Sequence, residues 1–166
     1  MLSKNDYVVK YEELKILKSA VNLDADPIAG GLAFNSKLAD LTSKRDRAGE
    51  MMLEAIWNKQ EASQMFTDAE FTYNQKLETA MRVPETQALK SAEQRKAKAH
   101  EALSEDLILL KDTTLNLSFA ESYYKAVYAV SEMLKAKNEN LVQQIRVVGM
   151  MLNIDVDLRA QINKGR

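Results

Sequence analysis

The chain contains no cysteine. Disulfides, thiolate nucleophiles and cysteine-type metal sites are thereby excluded together, and a reducing, cytoplasmic compartment is expected. Histidine occurs once, at His100, so a metal cluster or a His-based triad would have to be assembled around this one residue. The Glu-x-x-His pairs of bundle di-iron sites are missing as well, because Ala97 stands three residues before His100. His100 itself, in a strongly charged stretch, reads as a surface histidine. There are only five glycines and two prolines in 166 residues, too few punctuators for a turn-rich β fold. Gly30-Gly31 has no following Lys-Ser/Thr pair, so it reads as a hinge between helices and not as a phosphate loop. No run of about 18 apolar residues occurs, and Met1-Leu2-Ser3-Lys4-Asn5-Asp6 is no secretory leader, so neither membrane spanning nor export is expected. Nor is there an excess of one charge: 23 basic residues face 24 acidic ones. No overall field steers the chain toward polyanions, and any such binding must use a local patch.

What the chain does have is apolar residues, 46% of the total, drawn largely from the strong helix formers Ala, Leu and Met. The expected fold is all-α: a short N-terminal helix followed by two long antiparallel coiled-coil-like helices, in an oligomeric helical bundle. The whole is read as one helical domain, with a short helix and linker over 3–26, a first long helix over 27–82, a second over 84–153 and a tail over 154–166. Ser3 and Asp6 suit an N-terminal cap with an acidic first turn. Asp26 before Pro27 suits a second helix start, although Gly30 and Gly31 delay regular helix to about Asn35.

From Leu38 the apolar pattern is close to a strict heptad through Leu41, Arg45, Ala48, Met52, Ala55, Lys59, Ala62, Phe66, Ala69, Tyr73, Lys76 and Ala80. Such a seam favours a left-handed supercoil. Its many alanines bury little area, so Leu53, Ile56 and Trp57 are expected to supply a second flank. Pro84 ends this run and starts the next helix, whose stripe is less regular. The first reading is a continuous helix; the alternative is a break at 112–118, where Thr113, Thr114 and Asn116 are mediocre helix residues and Ser118 with Glu121 has capping-box spacing. The tail, with Ile154, Leu158 and Ile162 on one side, is expected to form at most a short helix. Oligomer contacts are assigned to Leu38, Leu41, Met52, Phe66, Tyr124, Leu134, Leu141 and Ile145. Phe119, Tyr123, Tyr124 and Tyr128 read as core or interface, and the eight methionines as adaptable packing.

The strongest polar feature is Lys90, Arg95, Lys96, Lys98 and His100 just after the Pro84 break, with Arg82 beside it. If the long helices run antiparallel, this group passes near Phe71 and Tyr73. Cations for phosphates and rings for bases are the ingredients of a single-stranded nucleic-acid site. Lys90, Arg95, Lys96, Lys98, Tyr73 and Arg82 are the candidate contacts. The alternative is a solvated helix face, interrupted by Glu93 and Glu101.

The order of features resembles the UvsY-like recombination mediators of tailed phages. The residues that carry the resemblance are Glu12-Glu13-Leu14, Asn22-Leu23-Asp24, Asn35 with Leu38, and Met51-Met52-Leu53-x-Ala55 in the first part. In the second they are Leu103-Ser104-x-Asp106, Leu110-Lys111, Tyr123-Tyr124, Leu134-x-x-Lys137 and Ile145. The chain departs from the family in its near-neutral charge and in having Asn58-Lys59-Gln60-Glu61-Ala62 where a dense basic-aromatic motif is expected.

The resemblance implies a non-enzymatic homo-oligomer, in the host cytoplasm, that binds single-stranded DNA and helps a RecA-like recombinase load on strands covered by a single-stranded-DNA-binding protein. No cofactor, metal, membrane or small-molecule substrate is expected. The competing expectation is a phage assembly or scaffold-like component, or a coiled-coil inhibitor of a host protein.

Overall fold

The structure, a computed structural model, describes residues 2–19 and 31–164. Five helices follow one another: α1 (Lys4–Ser19), α2 (Gly31–Arg82), α3 (Pro84–Gln87), α4 (Ala92–Ala102) and α5 (Ser104–Lys164), and the described residues contain no strand. The all-α reading holds, with a short N-terminal helix and long helices that pack on one another. The proposed cap at Asp26-Pro27, like Asn22-Leu23-Asp24, lies outside the described residues. The chain divides into two compact units, Met1–Lys10 with Leu53–Lys125, and Tyr11–Met52 with Ala126–Arg166.

α1 starts on a reciprocal capping box. The Ser3 amide donates to Asp6 Oδ2 at 2.7 Å while the Asp6 amide donates to Ser3 Oγ at 3.3 Å, so two otherwise orphan donors are satisfied. The Ser3 hydroxyl and, after it, the Ser3 amide hold the Asp6 carboxyl below its ordinary range.

In the first unit the α2 and α5 segments are antiparallel. Lys76 pairs with Asp106 at 2.6 Å, and Lys59 lies 5.0 Å from the Tyr124 ring. As α2 steps back from Lys76 to Lys59, α5 steps forward from Asp106 to Tyr124 by nearly the same distance along the chain. The core here joins small residues of α2, Ala55 and Ala62, to the buried rings of Tyr7, Tyr73 and Tyr123. Tyr7 of α1 packs on Phe119 and Tyr123 of α5 at ring-centroid distances of 6.1 and 5.7 Å, within the range in which aromatic pairs attract beyond their area burial. Lys10 of α1 reaches Glu54 of α2 at 2.6 Å.

In the second unit Leu14 and Leu17 of α1, Leu41, Ala48 and Met51 of α2, and Val127, Val130, Leu134 and Leu141 of α5 are all buried. Arg47 of α2 bonds Glu13 of α1 at 2.6 Å and Glu50 of its own helix at 2.7 Å. Segments of α1, α2 and α5 thus contribute to the core of each unit, and in the first unit Thr86 of α3 and Ala99 of α4 are buried as well.

The seams differ from the sequence pattern in a way that helix geometry explains. On α2, Leu41, Ala48, Ala55 and Ala62 recur every seventh residue as expected, but Met51 and Asn58 complete the seam in place of Met52 and Lys59. Beyond Ala62 the inward positions step to Phe66, Ala69 and Tyr73, which adds one four-residue step. Such a stutter locally unwinds a supercoil and returns the pattern toward the natural 3.6-residue turn. The clean heptad is on α5: Thr113, Ala120, Val127, Leu134 and Leu141 fall seven apart and all are buried.

Two further corrections concern the second half of the chain. Pro84 starts only the four-residue α3, and the long helix begins at Ser104. The helix is continuous through 112–118, as the first reading has it. The Thr113 and Thr114 hydroxyls donate to the Leu110 carbonyl at 3.0 and 2.7 Å, so these residues meet their polar needs within the helix. Ser118 is mid-helix, and the residue that caps a helix is Ser91, whose hydroxyl accepts from the Gln94 amide at 3.1 Å. The tail does not form a separate short helix, because α5 runs on to Lys164.

Candidate nucleic-acid interface

All the expected DNA contacts belong to the first unit. α3 and α4 form an excursion between the two long helices, and it carries the basic cluster. Ser91 caps α4 and fixes where its first turn starts, so Arg95, Lys96 and Lys98 are presented from regular helix. Lys90, Lys96 and Lys98 are exposed and Arg95 is half-buried. Lys98 pairs with Glu101 at 3.4 Å, and Arg82, at the end of α2, pairs with Glu78 at 3.7 Å. Both are exposed i,i+3 or i,i+4 pairs of small worth. Lys90, Arg95 and Lys96 make no ion pair among the described residues. Other cations are closely matched by carboxylates: Lys10 by Glu54, Lys44 by Asp40, Arg47 by Glu13, Lys76 by Asp106.

Tyr73 is placed differently from its expected role. Its side chain is in the core, 5% exposed, with its hydroxyl hydrogen-bonded to His100 Nδ1 and the two rings stacked at 6.0 Å. Burial, and after it the nearby Asp106 charge, pushes the Tyr73 phenol above its ordinary value of 10.0. His100 is half-buried and not a surface residue. Phe71 is 63% exposed, but two residues along a helix are about 200° around it. Since Tyr73 faces α4, Phe71 faces away from it. The expected partnership of the basic cluster with Tyr73 and Phe71 is therefore not assembled.

A cation and an aromatic ring do meet elsewhere in this unit. Lys59 Nζ lies over the Tyr124 ring at 5.0 Å, inside the cation–π range. The pair lines a groove of about 590 Å³ between α2 and α5, together with Gln60, Ser63 and Gln64. Both side chains are half-buried. Sequence reasoning placed Lys59 and Tyr124 only in packing seams. The signal it passed over was a lysine at a seam position, which must leave the core and lie along the groove beside it.

The residues assigned to oligomer contacts also divide. Leu41, Leu134 and Leu141 are buried within the single chain and are not available to a second copy. Leu38, Met52, Phe66, Tyr124 and Ile145 are half-buried. The expected second flank of α2 is open: Leu53 is 62% and Trp57 71% exposed, one turn apart on one face, while Ile56 is half-buried. Among the described residues no group of three or more His, Asp or Glu side chains is gathered that could hold a metal ion, and no helix is long and apolar enough to cross a membrane.

No family model, no curated protein and no solved structure matches the chain.

Proposed function

We propose that this protein is a non-enzymatic accessory factor of DNA recombination or repair that binds single-stranded DNA and helps to load a RecA-like recombinase. The observation that carries the reading is the Lys59–Tyr124 pair in a groove rimmed by amide and hydroxyl side chains. A half-buried cation–π contact is worth between about 0.5 and 2 kcal/mol, and stacking of a base on an aromatic ring about 1–3 kcal/mol. Exchange of the two is favourable: the base takes the Tyr124 face and the Lys59 ammonium moves to a phosphate.

Lys90, Arg95 and Lys96, outside any ion pair on the same unit, add phosphate attraction without sequence preference. The layout that resembles the UvsY-like mediators supports the same reading, and self-association belongs to it. The test is a fluorescence anisotropy titration of labelled single-stranded DNA at two salt concentrations. Wild type is expected to bind and Lys59→Ala and Tyr124→Leu to bind more weakly. Absence of binding by wild type at low salt overturns the proposal.

A second reading, an assembly, scaffold-like or host-protein-inhibiting interaction protein, is favoured by one observation, the exposed Leu53 and Trp57 on a single face of α2. It predicts a stable complex with another protein and no salt-sensitive binding of DNA.

A further inference from the structure

The second unit has a groove of its own. It lies between α1 and α5, with a volume of about 350 Å³. Leu14 and Val130 are its buried lining, Met133 is half-buried, and Ala129 is exposed at its mouth. Lys15 and Lys18 line the same groove from α1, and both are exposed. Apolar lining is what a side chain needs to leave water, at about 25 cal/mol per Å² buried. A small polar metabolite would need convergent polar groups to orient it, and only the Tyr11 hydroxyl accompanies the two ammonium groups here.

The charge of the groove selects its occupant. Both ionic side chains are cationic. Lys15 is held by Glu12 at 2.5 Å in a pair whose members are 71% and 61% exposed, so the bond is weak and easily exchanged. Lys18 makes no ion pair among the described residues. Its place in the last turn of α1 also suits the helix dipole, but the dipole requires neither an apolar floor nor Lys15 beside it.

We propose that this groove docks an acidic segment of a partner protein, one that presents a large apolar side chain flanked by aspartates or glutamates. The apolar side chain enters beside Leu14 and Val130 and the flanking carboxylates meet Lys15 and Lys18, so that burial supplies affinity and charge supplies specificity. The proposal uses residues of the second unit only and does not rest on the nucleic-acid reading.

The probe is a short fluorescent peptide with a central Leu-Phe pair flanked by aspartates, titrated with the full chain and compared with a counterpart in which lysines replace the aspartates. Saturable binding of the acidic peptide and none of the basic one is expected. The Lys15→Glu/Lys18→Glu double variant and Ala129→Trp, which fills the mouth from an exposed position, are each expected to weaken binding about tenfold or more. Circular dichroism checks that both fold, and if the charge reversal disturbs α1 the Ala129→Trp variant carries the test. Both variants are expected to bind single-stranded DNA as wild type does, which separates failure here from failure of the DNA reading. Equal binding of the two peptides, no binding of the acidic one, or undiminished binding by Ala129→Trp overturns the proposal.

Discussion

The Tyr73 hydroxyl is hydrogen-bonded to Nδ1 of His100, the single histidine of the chain, with the two rings stacked at 6.0 Å between α2 and α4. Tyr73→Phe keeps the ring and removes the bond, leaving a half-buried nitrogen unsatisfied. A loss of about 0.5–1.5 kcal/mol is expected, read in urea unfolding. Tyr73→Ala opens a cavity as well and should cost about 3–5 kcal/mol. Single-stranded DNA affinity of Tyr73→Phe should be unchanged, because the ring does not reach the surface.

Tyr73 also sets an alkaline limit. Its folded pKa is raised above the ordinary 10.0, first by burial and then by Asp106. The neutral phenol is thus the form that the fold prefers. Its contribution is complete below pH 10 and is lost as pH rises through the folded pKa, because the unfolded chain ionises first. Unfolding midpoints of wild type should fall above pH 10, and those of Tyr73→Phe should fall less. Equal slopes for the two proteins would contradict this assignment.

Two serines distinguish the observed helix boundaries from the ones that the sequence suggested. Ser91 caps α4 through the Gln94 amide, so Ser91→Ala should cost about 1 kcal/mol and speed amide exchange in the first turn of α4. Ser118 sits inside α5, and Ser118→Ala should be neutral or slightly stabilising, since alanine is the better helix former.

These serines also show what could be read from the sequence and what could not. Composition and periodicity were enough for an all-helical chain, a start at Ser3 and Asp6, and an end of the first long helix just before Pro84. Ser91 with Gln94 carries the same Ser-x-x-Gln signature as any capping box, yet the basic stripe around it masked the boundary. On α2 the seam was legible at Leu41, Ala48, Ala55 and Ala62 and again at Phe66, Ala69 and Tyr73, but the positions between were placed at Met52 and Lys59 and not at Met51 and Asn58, because widely spaced alanines fit either register. Tyr73 was misplaced as a surface ring since a linear pattern does not reveal that the α3–α4 excursion lays His100 against it. The Lys59–Tyr124 groove depends on a register between helices far apart in sequence, which no local pattern encodes.

Asp6 gives an acid-side prediction. The Ser3 hydroxyl and then the Ser3 amide hold its pKa below the ordinary 3.8, so the contribution of the capping box is present above that pH and is lost as pH falls through the lower folded value. Below about pH 4 the first turn of α1 should fray, and Tyr7, next in the chain and packed on Tyr123, should lose protection with it. Amide exchange at Tyr7 checks this. Asp6→Asn should show the faster exchange at neutral pH and no further change on acidification.

Trp57 is the single tryptophan and is 71% exposed. Self-association over the Leu53–Trp57 face would take its indole out of water. Its emission should then move to shorter wavelength as concentration rises, in step with mass from light scattering. Trp57→Lys should shift the association midpoint at least about tenfold toward higher concentration, since a buried aromatic commonly anchors an interface by 2 kcal/mol or more. A change in mass with no change in emission would place the interface elsewhere.

The salt dependence of DNA binding counts its cations. If Lys59, Lys90, Arg95 and Lys96 each neutralise one phosphate, the logarithm of affinity should fall with the logarithm of salt with a slope of about −3, given about −0.7 per contact on a single strand. A fourfold rise in salt would then weaken binding roughly fiftyfold. Replacing Lys90, Arg95 and Lys96 by Ala should flatten the slope to about −1 while leaving the contribution of Tyr124 intact. Tyr124→Leu should do the reverse, lowering affinity at every salt concentration without altering the slope. An unchanged slope in the triple variant would remove the α3–α4 cluster from the site, and a changed slope in Tyr124→Leu would mean that the ring serves to position Lys59 and does not itself carry a base.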